Sequence, residues 1–229
     1  MSLRVTRWWT PVIAPLVRLG GPRRSSAIPG SVLERGARHA DNSPMAFGEQ
    51  FEAVLAAAKA GAEWAITALY RDLHPRLLRY LRVQEPNDAE DLASETWLAV
   101  ASDLPRFEGD EVAFRRWLFT IARHRLIDLR RRTASRRTDL VAGHWLDGLD
   151  GTRDTQAEAL SGLATEAALA RIATLPPDQA EVVLLRVLAG LDANDVAEIM
   201  GKPPGTVRVL QYRALKRLAD TLAQTVVTL

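Results

Sequence analysis

The chain has 229 residues, a formal net charge of +2 and no cysteine. That length admits one or two domains, and the missing thiols exclude disulfides, thiolate metal centres and cysteine nucleophiles. His39, His74, His124 and His144 fall at no metal-ligand spacing, and there is no Gly-rich phosphate loop, no nucleophile elbow and no apolar run of membrane-spanning length, so no enzyme, cofactor, metal site or membrane insertion is indicated.

Residues 1–45 differ in character from the rest of the chain. They hold Pro11, Pro15, Pro22, Pro29 and Pro44 among seven arginines, and they read as a disordered basic extension. The apolar stretch 8–17 follows two arginines, like an export signal, but Pro11 and Pro15 break it. Met45 opens the ordered pattern, and translation from Met1 or from Met45 fits equally.

Beyond Met45, Pro and Gly retreat to a few joints between long Ala/Leu/Arg/Glu runs, which predicts an all-α protein. A first helix is expected over 48–61, where Phe51, Val54, Leu55 and Ala58 recur at helical spacing. A second, over 62–83, carries Leu69, Leu73, Leu77, Leu78 and Leu81, with Pro75 expected to kink or interrupt it. A third spans 87–104. Asn87 or Asp88 can cap it, and Asp88, Glu90 and Asp91 suit its positive end. Leu92, Thr96, Ala99 and Val100 are expected inside. Asp88, Asp91 and Glu95 share another face, where three carboxylates repel unless solvated or met by a basic partner.

The segment 104–111, LPRFEGDE, reads as a loop. A long helix over 112–132 comes next, with Phe114, Leu118, Ile121, Ala122 and Leu129 as its apolar stripe. Arg115, Arg116, Arg123, Arg125, Arg130, Arg131 and Arg132 crowd it against one acid, Asp128. Guanidinium groups match phosphate, and Trp117 and His124 lie among them, a mixture suited to unstacked single-stranded bases. Part of Trp117 is expected in the core.

Residues 134–162, with Asp139, Asp147, Asp150, Asp154 and Glu158, read as a flexible acidic linker. It separates a first helical domain, 46–133, from a second, 163–223, and a short tail, 224–229, ends the chain. The second domain ends in a helix-turn-helix. Ala197 is small where two helices cross, Gly201 stands where the turn needs a positive φ, and Val196, Met200, Val207 and Leu210 face inward. Pro203-Pro204 restarts the chain, and the helix over 204–218 presents Arg208, Tyr212, Arg213, Lys216 and Arg217. A basic helix after a tight turn has the geometry that enters a DNA major groove.

Four segments in this order resemble the extracytoplasmic-function (ECF) group of bacterial RNA polymerase sigma factors: DAEDLASETWLAV, RFEGDEVAFRRWLFTIARHRLIDLRRR, LPPDQAEVVLLRVLAGLDANDVAEIMG and PPGTVRVLQYRALKRL. The resemblance implies that Asp88, Asp91 and Glu95 bind core RNA polymerase at its β′ clamp. It implies that Arg106, Phe107, Arg116, Trp117, Arg123, His124, Arg130 and Arg131 melt and read the −10 promoter element, taking a flipped base from the single strand. It implies that Thr206, Arg208, Gln211, Tyr212, Arg213, Lys216 and Arg217 meet the −35 element as duplex. It also implies an anti-sigma factor as partner and a cytoplasmic protein, nucleoid-associated when active.

The chain departs from the group's usual pattern in three places. His124 stands where Asn is common. Leu210 and Gln211 stand where Arg and then an apolar residue are common, so one DNA contact is expected to be lost and Gln211 to read adenine instead. The loop before the −10 helix is one residue longer. The alternative function is a stand-alone helix-turn-helix regulator, which binds operators as a dimer. That reading gives no task to the acidic helix 87–104 or the arginine-rich helix 112–132.

Overall fold

The computed structural model describes residues 47–137 and 156–227. A 3-10 turn, Gly48–Gln50, leads into α1 (Phe51–Lys59), α2 (Glu63–Gln84) and α3 (Ala89–Asp103). A second 3-10 turn, Leu104–Arg106, precedes α4 (Glu111–Arg137). Then come α5 (Gln156–Ala173), α6 (Pro177–Val187), α7 (Ala193–Met200) and α8 (Pro204–Val227). No strand occurs among the described residues, so the all-α expectation holds. The expected basic extension, 1–45, lies outside the described residues, as does 138–155 of the expected linker.

Helices α1 to α4 close around Phe51, Leu69, Leu77, Trp97, Phe114, Leu118 and Phe119, all buried. Helices α6 to α8 close around Leu184, Leu185, Val196, Val207 and Ala214. Each large apolar side chain so buried contributes about 1.5–3 kcal/mol relative to exposure. The two groups of helices are in contact. α2 packs on α5 and α6, and α4 packs on α7.

Three expectations need correction. Pro75 does not interrupt α2, which is one helix from Glu63 to Gln84. The ring removes one helical donor, that for the Arg71 carbonyl. Arg71 is exposed, so water can serve that carbonyl, while Leu73 and Leu77 hold the helix to the core on either side. Second, α4 runs five residues past Arg132, because nothing in Thr133–Arg137 breaks a helix, and α5 starts within the expected linker, where Ala, Glu and Leu favour helix. Third, Asp88 holds the N-cap position of α3 but makes no side-chain bond there.

The helix-turn-helix forms as expected, for local reasons. Asp192 caps α7, accepting from the backbone N–H of Asn194 at 2.7 Å and of Asp195 at 2.8 Å. Asp195 answers by accepting from Asp192 N at 3.4 Å. Those bonds hold the Asp192 carboxyl below its usual pKa, the Asp195 N–H contributing most. Gly201 ends the helix at φ 63°, and Lys202 N donates back to Ala197 O at 3.0 Å. α8 then begins at Pro204, and it turns Val207 and Ala214, both fully buried, toward the core.

Candidate nucleic-acid interface

On α3, Asp91 and Glu95 are both exposed, and among the described residues neither joins an ion pair. Asp88, at the helix start, is half-buried. Leu98, one turn beyond Glu95 on the same face, is 57% exposed. Glu95 and Leu98 also border an open groove whose other wall is the basic C-terminal half of α4, with Arg125, Arg131 and Arg132. The acidic face therefore adjoins the arginine-rich helix. Composition gave no hint of Leu98, but the spacing 91–95–98 did carry the signal.

The loop before α4 is fixed by aromatic packing. Phe107 stacks on Trp117, centroids 4.9 Å apart, and meets Phe114 edge-on at 5.2 Å. Trp117 also meets Phe114 at 5.6 Å, so it is half core as expected. Gly109, at φ 146°, lets the loop close on the helix. A Cβ there would lie 2.8 Å from the Ala113 Cβ. Asp110 then starts α4 by accepting from Ala113 N at 2.7 Å.

Arg115 does not belong with the outward cations. It is 2% exposed and lies 3.5 Å from Glu111, which in turn accepts from Gly48 N at 2.9 Å. Burial pulls the Arg115 pKa down, and burial raises that of Asp72 in the same cluster. This buried group ties the N-terminal 3-10 turn to the base of α4. The sequence pattern offered nothing to single out one arginine of seven as internal.

The expected −10 residues fall into three sets. Arg106, His124 and Arg131 are exposed, and Phe107 and Trp117 are the half-buried stack. Arg116, Arg123 and Arg130 are engaged elsewhere. Arg130 donates to Gln84 O at 2.7 Å and to Gln84 Oε1 at 3.1 Å, closing the end of α2. Arg116 and Arg123 reach the C-terminal helices, at Asp195, Glu198 and Glu181.

On α8, Thr206, Arg208, Tyr212, Arg213, Lys216 and Arg217 are all exposed, Tyr212 to 69%. Arg208 Nη2 donates to Asn194 Oδ1 at 3.4 Å, the only polar contact it makes among the described residues. Gln211 is half-buried, and Leu210 packs against the core, so the latter stands on the inner face. Val209 and Leu215 add exposed apolar surface beside Tyr212 that the charge pattern did not reveal.

Residues 69–136 match the family described as Sigma-70 region 2, and residues 165–218 match Sigma-70, region 4. The chain is 38% identical to the ECF RNA polymerase sigma factor ShbA of Streptomyces griseus, over 66% of this chain and 83% of ShbA. It is 32% identical to the ECF RNA polymerase sigma factor SigD of Mycobacterium tuberculosis, over 76% of this chain and 85% of SigD. This chain is an ECF RNA polymerase sigma factor.

A third relative, BldN of Streptomyces coelicolor, is 35% identical over 72% of this chain, and the match spans 63% of BldN. The fold resembles that of CnrH, solved in complex with the cytosolic domain of CnrY, with TM-score 0.51 and 20% identity over 77% of this chain and 99% of CnrH. The region 2 match covers most of α2, α3 and nearly all of α4. The region 4 match covers the end of α5 through most of α8. In this sigma factor the acidic face and the aromatic loop thus lie in one matched unit, and the exposed basic face of α8 in the other. No helix among the described residues is long and apolar enough to cross a membrane.

Proposed function

We propose that this sigma factor is a dissociable promoter-specificity subunit whose three exposed or poised surfaces serve three contacts. The Asp88, Asp91 and Glu95 face of α3 binds the basic coiled coil of the polymerase β′ clamp. The loop at Phe107 and the helix α4 melt the −10 element and hold its non-template strand through Arg106, Arg116, Trp117, Arg123, His124, Arg130 and Arg131. The outward face of α8 enters the −35 major groove. There Arg208, Tyr212 and Arg213 read bases, Thr206 and Gln211 lie at the edge, and Lys216 and Arg217 meet phosphates. The units, 46–133 and 163–223, act together because each contact raises the effective concentration of the other.

The observation that carries this reading is that one chain presents two separate basic helices, α4 and α8, together with an exposed carboxylate face on α3. A stand-alone operator binder has use for α8 alone. In this proposal the chain makes and breaks no bond, takes no cofactor and works in the cytoplasm, on the nucleoid when active. An anti-sigma factor holds it inactive until a signal releases it. Run-off transcription tests the reading. Core polymerase and fragmented host DNA, with and without the protein, should yield new transcript starts that share two spaced upstream motifs. No new starts, with DNA binding that persists without polymerase, would establish the helix-turn-helix regulator instead.

A further inference from the structure

On α8 the buried Val207 and Ala214 mark the inner side, and so fix the side that faces away from the protein. At about 100° per residue, Gly205, Val209 and Tyr212, spaced i, i+4 and i+7, form the line opposite that pair. Arg208 falls on one flank of the line, toward Asn194 of α7, and Thr206 and Arg213 fall on the other. The middle of the outward face is therefore uncharged. Its rim is basic, for no acid occurs from Pro204 to Arg217. Val209 is 47% exposed, so core packing does not hold a valine there, and a β-branched side chain is a poorer helix former than alanine, leucine or arginine. Gly205 is equally unexplained from within the chain. It is helical with φ outside the left-handed region, and a Cβ on it would meet nothing within 4 Å. Glycine there weakens the helix and serves neither a turn nor the core. Both residues suit a surface outside the chain. Gly205 leaves the first turn bare for close approach of another molecule, and Val209 offers two methyl groups in a nearly fixed rotamer.

We infer that Val209 is a specificity-determining residue for the −35 element: its methyl groups pack on the C5-methyl of a thymine at the centre of that element, and Gly205 lets the helix come near enough for the contact. The inference rests on the assignment of α8 to the −35 major groove. The pattern of the face selects the occupant. A basic rim calls for anionic walls on both sides, and an apolar centre calls for an apolar group on the floor between them. In a duplex the two phosphate strands are those walls, and the thymine methyl is the apolar group that the major groove exposes. Arg208 and Arg213 then take the positions on either side. Val209 separates thymine from cytosine, which presents an amino donor and no methyl there. The central base pair is thus read by apolar fit, between neighbours read by charge and hydrogen bonds.

The test uses holoenzyme, assembled from core polymerase and the full chain, on a duplex promoter whose −35 element has been mapped by run-off transcription. Each thymine of that element, on either strand, is replaced singly by deoxyuridine, which removes the methyl group and nothing else. At one central position the loss should weaken binding about fourfold, the effect of burying one methyl group. Val209→Ala should weaken binding to the thymine duplex by a similar factor, and should make thymine and deoxyuridine equal at that position alone. Gly205→Ala should melt no lower than the parent and still weaken binding to the same duplex. An element without thymine, the lack of any methyl-sensitive position, or a methyl sensitivity that survives in Val209→Ala would overturn the inference. Parent-like binding by Gly205→Ala would overturn the close approach. Failure of the underlying −35 assignment is read separately, as holoenzyme selection among −35 sequences left unchanged by Arg208→Ala with Arg213→Ala.

Discussion

Phe107 lies against the indole of Trp117, ring centroids 4.9 Å apart and planes 25° from parallel. This stack joins the loop ahead of α4 to the helix itself, so any base captured there meets a surface that is already assembled. Phe107→Leu keeps apolar volume but loses the stack, and it should cost about 0.5–1.5 kcal/mol in chemical denaturation. Transcription from a duplex promoter should fall further than transcription from a pre-melted bubble template. Equal loss on both templates would place the pair outside strand opening.

Charge reversal on α3 separates docking from folding. Asp91 and Glu95 are exposed, and the main cost of reversing them is the unfavourable charge in the first turn of α3 at Asp91, about 0.3–1 kcal/mol. Asp91→Lys with Glu95→Lys should therefore stay folded, melting only slightly below the parent, yet fail to co-purify with core polymerase. Retained co-purification would send the search to another face of the molecule.

On α8, Arg208 is exposed and leans only on Asn194. Arg208→Ala should weaken discrimination between matched and mismatched −35 sequences by about 1–3 kcal/mol if the side chain makes a bidentate base contact. A loss equal on every sequence, in competition binding by holoenzyme, would make it a phosphate anchor.

Stability should depend on pH through His74. Its ring stacks on Tyr70 at 4.5 Å, and burial holds the imidazole below its ordinary 6.5. The unfolded chain thus binds this proton more readily than the folded one. The contribution is full above the unfolded value and is lost as pH falls below it. Urea midpoints should drop between about pH 7.5 and about pH 5.5, and His74→Phe should shrink the drop. An unchanged drop in the variant would assign it to other groups.

Much of the architecture was readable in the sequence where local rules dominate. Gly201 takes the left-handed conformation its place in the turn required, and Val207 faces inward as its spacing indicated. Asp91 and Glu95 point outward because Leu92, Thr96 and Val100 take the inner face of α3. What the sequence hid is what distant residues decide. Arg115 is internal because its partner Glu111 is itself tied to Gly48 at the other end of the unit and Asp72 of α2 faces the pair, although the next residue, Arg116, is also an arginine. Pro75 looked like a break because propensity is local, while the packing that overrides it is not. The bond from Tyr80 to Glu181 joins residues more than a hundred positions apart, beyond the reach of any periodicity.

One carboxylate in the helix-turn-helix has two tasks. Asp195 Oδ2 accepts from Asp192 N within the cap of α7, while Oδ1 faces Arg116 of α4. Mutational drift at this position is doubly penalised, since a change that loosens the contact between units also frays the first helix of the DNA-reading motif. Glu181 has a second task of another kind, since the oxygen that meets Arg123 also accepts from the buried Tyr80 hydroxyl. The exposed Glu198 has neither, so it is the acid at which the contact between units can change with the least cost to either fold.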